Sequence, residues 1–168
     1  MSGFTFKITK KNGSTRKKIL NVLKHDNTFV EVGHFEAQGM HPTINKSFVD
    51  IMKLHHNGGS VSGSIPNPPR PVLDILNFRA PNLLRSPKLL EEGKTILKSG
   101  DSSDRMLSSI GKSLVISEKS IFGDPTVLHP NAEKTIIQKH GADTPLVETG
   151  VLRNKVAYRT SKNKTIKE

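Results

Sequence analysis

The stretch "TPLVETGVLRNKVAYRT", residues 144–160, joins a turn, one helical turn and a strand in a continuous piece of chain. Its proline and the apolar residue after it indicate the turn, and a Thr-Gly pair opens the helical turn. Its end alternates apolar and polar residues, as a half-buried strand does. We expect this closing stretch to complete the fold by pairing a last strand into a sheet. The residues that define it are Pro145, Leu146, Thr149, Gly150, Leu152, Val156 and Tyr158.

Three further stretches have the pattern of strands. Apolar and polar residues alternate in "FTFKITK" (residues 4–10) and in "NTFVEVGHF" (residues 27–35), where Gly33 indicates a bulge or a close approach. The stretch "KTIIQKHG" (residues 134–141) predicts a strand that ends in a turn. Together with the closing strand, these stretches predict a twisted, mainly antiparallel sheet.

Between the first and last predicted strands, apolar residues recur at the spacing of α-helices. Ser14 can cap a short helix, and a second helix is expected over about residues 46–56. The Ser86-Pro87 dipeptide is a favourable start for a third. The longest helix is expected to begin near Ser103. Its predicted buried stripe consists of Met106, Leu107, Ile110 and Leu114.

A Gly- and Ser-rich segment that becomes Pro-rich follows the second helix. This arm covers about residues 57–71; we expect its first half to be mobile and its Pro-rich half to be extended, out to about residue 82. The expected fold is α+β, with a single domain over residues 1–160 whose sheet packs against helices. Residues 161–168 are expected to form a basic, flexible tail.

The charge balance is the strongest feature of the composition. The chain has 26 Lys and Arg against 15 Asp and Glu, a formal net charge of +11. This excess implies an acidic partner, unless it forms a solvated surface with a flexible tail. The hydrophobic fraction is 33% and the aromatic fraction 5%, which indicates a modest core or a chain ordered by neighbouring subunits. No apolar run is long enough for a membrane partner to be expected.

The residue types that can catalyse reactions or bind metals do not occur at the spacing that such sites need. The chain has no cysteine, which excludes disulfides and thiolate chemistry. His55 and His56 are adjacent and point in different directions on a helix, so they are poor joint metal ligands; the alternative is that one of them ends the helix. Glu91 and Glu92 diverge for the same reason and do not form an acid/base pair. We expect no enzymatic activity, no metal and no cofactor.

The order of the motifs resembles that of the virion-morphogenesis and tail-completion proteins of long-tailed bacteriophages, which lie at the head–tail joint or the tail end. The family pattern runs from a Val-Gly strand, through a helix that ends in His and Gly-Gly, to a Pro-Arg-Pro hinge. It finishes with the closing stretch, and the resemblance covers about residues 28–160. Before that stretch, the pattern falls on Gly33, His56, Gly58, Gly59, Ile65, Pro66, Arg70 and Pro71.

The resemblance implies a structural protein that acts by shape and contact. The family forms rings, often hexameric, around a channel through which genomic DNA passes without sequence-specific binding. The implied partners are further copies of the chain, neck or connector proteins and tail-tube proteins. The implied location is the virion neck or tail, reached from the host cytoplasm during assembly.

Two sets of residues are candidates for these contacts. The arm from Gly58 to Pro71 is expected to form a subunit interface, in which Arg70 meets a carboxylate of a neighbour. The cations Arg153, Lys155 and Arg159 are expected to face DNA in the lumen or an acidic protein. A minor tail or stopper-like neck protein is the alternative within this class. A basic, sequence-independent DNA-binding accessory protein is the alternative from another class.

Overall fold

The computed structural model describes residues 29–59, 67–99, 103–161 and 165–167. The described residues form an α+β fold with a small two-stranded antiparallel sheet, as the sequence predicts in outline. The elements, in chain order, are β1 Val30–Gly33, a 3-10 turn Glu36–Gln38, α1 Phe48–Asn57, α2 Val72–Leu84, α3 Pro87–Ser99, α4 Ser103–Ile121, α5 Glu133–Gln138, α6 Val151–Asn154 and β2 Ala157–Thr160.

The sheet joins the two ends of the described chain. In its register Val30 lies opposite Thr160 and Val32 lies opposite Tyr158. Tyr158 also exchanges two backbone hydrogen bonds with Lys167, of 2.9 and 2.8 Å, on the other edge of β2. β2 therefore lies between β1 and the residues near the C-terminus, so the predicted closing strand is confirmed.

Helix α4 is the element against which the rest of the fold packs, because α2, α3, β1 and β2 all contact it. Its fully buried positions include Gly111 and Val115, whereas the predicted stripe of Met106, Leu107, Ile110 and Leu114 is only half-buried. The buried face of α4 thus lies about one residue further along the chain than predicted. The cause is Tyr158, which lies directly on Gly111: a Cβ at this glycine would be 2.7 Å from Tyr158 Cγ.

Local sequence explains the boundaries of α1. The Ser47 hydroxyl accepts a 3.0 Å hydrogen bond from the backbone N–H of Asp50, which caps the first turn. Phe48, Ile51 and Met52 supply the buried face. Gly58, with φ of 74°, follows the last turn, so the helix predicted over residues 46–56 is confirmed with small shifts at both ends.

Two predicted segments differ in the structure. Residues 134–141 do not form a strand, because most of them lie in the short helix α5, and the side chain of Ile137 is 70% exposed instead of alternating into a core. The extended Pro-rich half ends at Pro71, because α2 begins at the next residue and buries Val72 and Leu76 at helical spacing. α2 continues through Pro81, which lies in the segment predicted to be extended. The predicted strand over residues 4–10 and the helix after Ser14 lie outside the described residues.

Glu118 of α4 is a buried carboxyl group that the sequence pattern did not identify. Its side chain is fully buried, and neither oxygen has a hydrogen-bond partner. Burial raises the pKa of Glu118 to about 7, against a smaller opposing effect of Lys119. The folded protein therefore holds this proton at pH values where the unfolded chain has released it.

We predict that Gly111→Ala lowers the free energy of unfolding by about 2–3 kcal/mol, because the new methyl group displaces the Tyr158 ring from α4. Gly93→Ala in α3 is the matched control. Its Cβ would lie an ordinary 3.6 Å from Met106 Cε, so the gain in helix propensity stabilises it by about 0.5–1 kcal/mol. Urea unfolding followed by circular dichroism measures both. Equal effects of the two substitutions would contradict the packing of Tyr158 on Gly111.

We predict that Glu118→Gln removes a pH dependence of stability. Burial of Glu118 lowers the free energy of unfolding of the wild type. This loss is absent below pH 4.5, grows as the pH rises to about 7 and is constant above it. At about 1.4 kcal/mol per pKa unit, the full penalty is about 3 kcal/mol. The difference in unfolding free energy between wild type and variant should therefore change by that amount between pH 4.5 and pH 8.

The control for this measurement is Glu148→Gln, which replaces a carboxyl group at an exposed position. Burial lowers the pKa of His34 and of His55, so their contribution to stability is present above about pH 6.5 and is lost as the pH falls. Their effect cancels in the difference between wild type and variant. A difference that is constant with pH would show that Glu118 is not buried as a neutral acid.

Candidate functional site

The first half of the closing stretch is a turn fixed by backbone contacts. Pro145 is buried, and its carbonyl accepts a 2.8 Å hydrogen bond from the N–H of Gly123. Leu146 has a left-handed φ of 62°, which is unusual for a residue with a side chain. The Lys139 ammonium donates to the carbonyls of Thr144 and Val147, at 3.0 and 2.6 Å. A charged side chain from the end of α5 therefore holds the turn in place.

The second half begins at Gly150, which has a φ of 76° and precedes α6 as its N-cap. Thr149 Oγ1 lies 3.5 Å from the N–H of Val151, so the predicted Thr-Gly opening of a helical turn is confirmed. His34 Nε2 donates to the Leu152 carbonyl at 2.8 Å, and the Gln38 amide donates to the Lys155 carbonyl at 2.6 Å. Both donors come from the segment after β1, which clamps the single turn of α6.

The apolar residues of the closing stretch all point into the core. Leu152, Val156 and Tyr158 are 8%, 0% and 3% exposed, and they belong to the same buried cluster as residues of α1, α2 and α4. The Thr160 hydroxyl donates to Asp104 Oδ1 at 2.6 Å, a second tie between β2 and α4. These positions therefore hold the fold together, and their side chains are not available to a partner.

The three cations of the closing stretch are in different situations. Arg153 is exposed at the end of α6. Lys155 is half-buried where its carbonyl meets Gln38. Arg159 pairs with Glu31 across the sheet, and its guanidinium lies 4.9 Å from the centre of the Phe35 ring. Arg159 is thus engaged by its own chain. The predicted contacts of the three cations with DNA or an acidic protein stay a prediction.

The ends of the arm are fixed to the fold. Gly59 and Asn67 exchange two backbone hydrogen bonds of 3.0 Å, which close the loop between them. Gly58 must be a glycine, because its φ is 74° and a Cβ would lie 2.9 Å from the Asn67 carbonyl oxygen. Ile65 and Pro66 lie outside the described residues. The predicted subunit interface of the arm stays a prediction.

Arg70 is buried, which differs from the expectation that its side chain is presented to a neighbouring subunit. It is 6% exposed, and its Nε donates to the His129 carbonyl at 2.8 Å. Its Nη2 donates to the Pro130 carbonyl at 3.1 Å and to Asn131 Oδ1 at 3.2 Å. Pro71, next to it, is the N-cap residue of α2. Arg70 therefore ties the start of α2 to the loop before α5.

Asp143 completes this cluster of polar contacts. Its Oδ1 accepts a 2.9 Å hydrogen bond from the N–H of Asn131, which positions the residues that Arg70 contacts. Burial lowers the pKa of Arg70, while the Asp143 carboxylate acts in the opposite direction. In the sequence, only an arginine between two prolines indicated this cluster. The partners of Arg70 are two backbone carbonyls and one asparagine side chain, none of which has a sequence signature of its own.

An apolar cavity of about 240 Å³ opens between the end of β1, α1 and the first turn of α2. Val49, Met52 and Leu73 form its apolar wall, and Lys53 and His56 lie at its rim. His56 Nε2 is 3.5 Å from Asp74 Oδ2. His56, which the resemblance marked, thus lies beside a cavity large enough for an apolar side chain.

The described residues were searched for clusters of metal-ligating side chains and for helices that could span a membrane. Among those residues no cluster of three or more His, Asp or Glu side chains could hold a metal ion. In the same part of the chain, no helix combines the length and the apolar character needed to cross a membrane.

We predict that Arg70→Met lowers the free energy of unfolding by about 2–3 kcal/mol, because it leaves the loop acceptors at residues 129–131 without their donor. Arg153→Met is the matched control and should change stability by less than about 0.5 kcal/mol, because Arg153 is exposed. Thermal and urea unfolding measure the difference. A stable Arg70→Met variant that loses self-association would instead support the original subunit-anchor role.

Comparison of the chain with models of known protein families, with characterised proteins and with solved structures finds no match in any of the three. The likeness to phage tail-completion proteins thus rests on the motifs quoted from the sequence.

Proposed function

We propose that this chain is a structural component of a bacteriophage neck or tail, a tail-completion or head–tail joining protein that forms a ring around the DNA channel. The observation that carries the proposal is the closing stretch. Its motif residues fold as one unit, with Leu152, Val156 and Tyr158 in the core. The residues that carry the resemblance are therefore residues that determine the fold, which is where members of one family are expected to be alike.

The outer surface supports a role in assembly. Large apolar side chains are exposed on several elements, among them Phe78 on α2 at 83%, Ile116 on α4 at 69% and Ile137 on α5 at 70%. Single exposed apolar residues are ordinary, but side chains of this size on several elements suit a part that neighbours cover. Such contacts can be made without any catalytic group.

The excess of positive charge supports partners that are acidic. On α4 the exposed side chain of Lys112 lies one turn before Ile116, so a cation and an apolar residue share the outer face of the central helix. A mixed face of this kind can meet an acidic protein surface. Lysine and arginine also attract DNA phosphates without reading sequence, as a channel for DNA requires.

A basic DNA-binding accessory protein is the second candidate, because a net charge of +11 favours it equally. The two differ in affinity for DNA. At physiological salt a channel component should bind duplex DNA weakly, whereas an accessory protein should bind it tightly. The comparison is made at one fixed salt concentration, because both would contact phosphates alone and both would lose affinity as salt rises.

Deletion of the gene in the phage that encodes it tests the proposed function. We expect filled heads and finished tails that fail to join, seen by negative-stain microscopy of the lysate. Supplying the wild-type gene in trans should restore joined particles. Normal particles from the deletion strain would contradict the proposal, and heads that fail to package DNA would favour a DNA-binding accessory role.

A further inference from the structure

We propose that residues 4–10 of this chain form a third strand of the sheet, parallel to β1 and hydrogen-bonded to its outer edge. The proposal joins a strand edge that the described residues leave without a partner and a stretch of alternating residues that precedes β1 in the chain. It concerns an interaction surface within one copy of the chain, so it does not rest on the proposed ring.

Hydrogen bonds show which backbone groups of β1 face β2. The N–H of Ser161 donates to the Phe29 carbonyl at 3.0 Å, so these two residues form a hydrogen-bonded pair. In an antiparallel ladder such pairs alternate with pairs that are not hydrogen-bonded. The register of the two strands therefore directs the backbone groups of Glu31 and Gly33 towards β2 as well.

Val30 and Val32 lie between these positions, and their N–H and carbonyl groups point to the outer edge of β1. No described residue forms a hydrogen bond with any of these groups. Both valine side chains are only half-buried, whereas Tyr158, opposite Val32 on the inner strand, is 3% exposed. The described sheet thus ends at β1 with a row of unpaired backbone groups, which is a template for a further strand.

The stretch "FTFKITK", residues 4–10, has the pattern that such a strand needs. Phe4, Phe6 and Ile8 alternate with polar residues, so a strand over these residues has one apolar face. Beside β1, this face would extend the side of the sheet that packs on α4. It would also cover the exposed flanks of the two valines.

The connection to β1 favours a parallel strand. The loops of antiparallel hairpins have about two to five residues, whereas a parallel pair needs a crossover of about a dozen or more, usually a helix. The connection here covers residues 11–29, and the sequence predicts a short helix in it after Ser14. Strand, helix and strand then follow one another in the order of a βαβ unit.

The length of such a helix suits the return of the chain to the beginning of β1. About ten residues of α-helix span about 15 Å, and a strand of four residues spans about 13 Å. β1 has four residues. A crossover helix of that length therefore carries the chain from one end of the strand pair back to the other.

Hydrogen exchange of the full-length protein, resolved by residue with NMR, tests the contact. We expect slow exchange at the amides of Val30 and Val32, which have no acceptor among the described residues. Phe6→Lys places a charge on the apolar face and should accelerate both amides by about tenfold or more. The amides of Glu31 and Gly33 face β2 and should stay slow, which shows that the variant is folded.

Thr5→Lys is the matched control for Phe6→Lys. It adds the same charge to the adjacent residue, which lies on the other face of the strand. We expect the amides of Val30 and Val32 to exchange in this variant as slowly as they do in the wild type.

Cysteine pairs determine the direction of the strand, because the chain has no cysteine of its own. Glu31→Cys and, separately, Phe29→Cys are each combined with a single cysteine at one of four positions, Gly3, Thr5, Lys7 or Thr9. In a parallel pair, the position that cross-links to residue 29 precedes the one that cross-links to residue 31. In an antiparallel pair the order is reversed. We expect the parallel order.

Lys94→Cys on α3, a helix that packs on α2 and α4, replaces Glu31→Cys in the control pairs and should not cross-link. The proposal is overturned if the amides of Val30 and Val32 exchange at the rate of an unstructured peptide, or if Phe6→Lys leaves them slow. Cross-links in the antiparallel order, or between two chains instead of within one, would also overturn it. The second of these results would show that another copy covers the edge of β1.

Discussion

The contact of the Tyr158 ring with Gly111 is the constraint on which the rest of the structure depends. It brings the last strand directly against α4, and α4 is the helix on which α2, α3 and both strands pack. Because Tyr158 also pairs with Val32 and Lys167, the same residue joins the beginning, the middle and the end of the described chain. A side chain at position 111 would separate these elements.

This constraint decides which residues remain for partners. The closing stretch places its apolar residues in the core, and Arg159 pairs with Glu31, so little of it reaches outward. Arg70 is likewise held by its own loop. The outer surface instead presents Phe78 and the mixed face of α4. In the proposed assembly role, contacts with neighbours are expected at α2 and α4, away from the closing stretch.

The sequence predicts the elements whose signals are local. Alternation and the Thr-Gly pair located β2 and α6, Ser86-Pro87 located α3, and apolar spacing located α1. Tertiary contacts decided the rest. The adjacent isoleucines at 136 and 137 have high strand propensity, yet the segment forms a short helix capped after Ala132. The burial of Glu118 and the hydrogen bonds of Arg70 depend on residues that are distant in sequence. No local sequence pattern therefore predicts them.

Hydrogen exchange of the free, full-length protein tests most directly the claim that the last strand holds the fold together. We expect the backbone amides of Ala157–Thr160 to exchange as slowly as those in the middle of α4, through global unfolding only. The amides of α3, whose surface is largely exposed, should exchange faster. If the β2 amides exchange as fast as those of α3, the strand is a peripheral addition and the claim is contradicted.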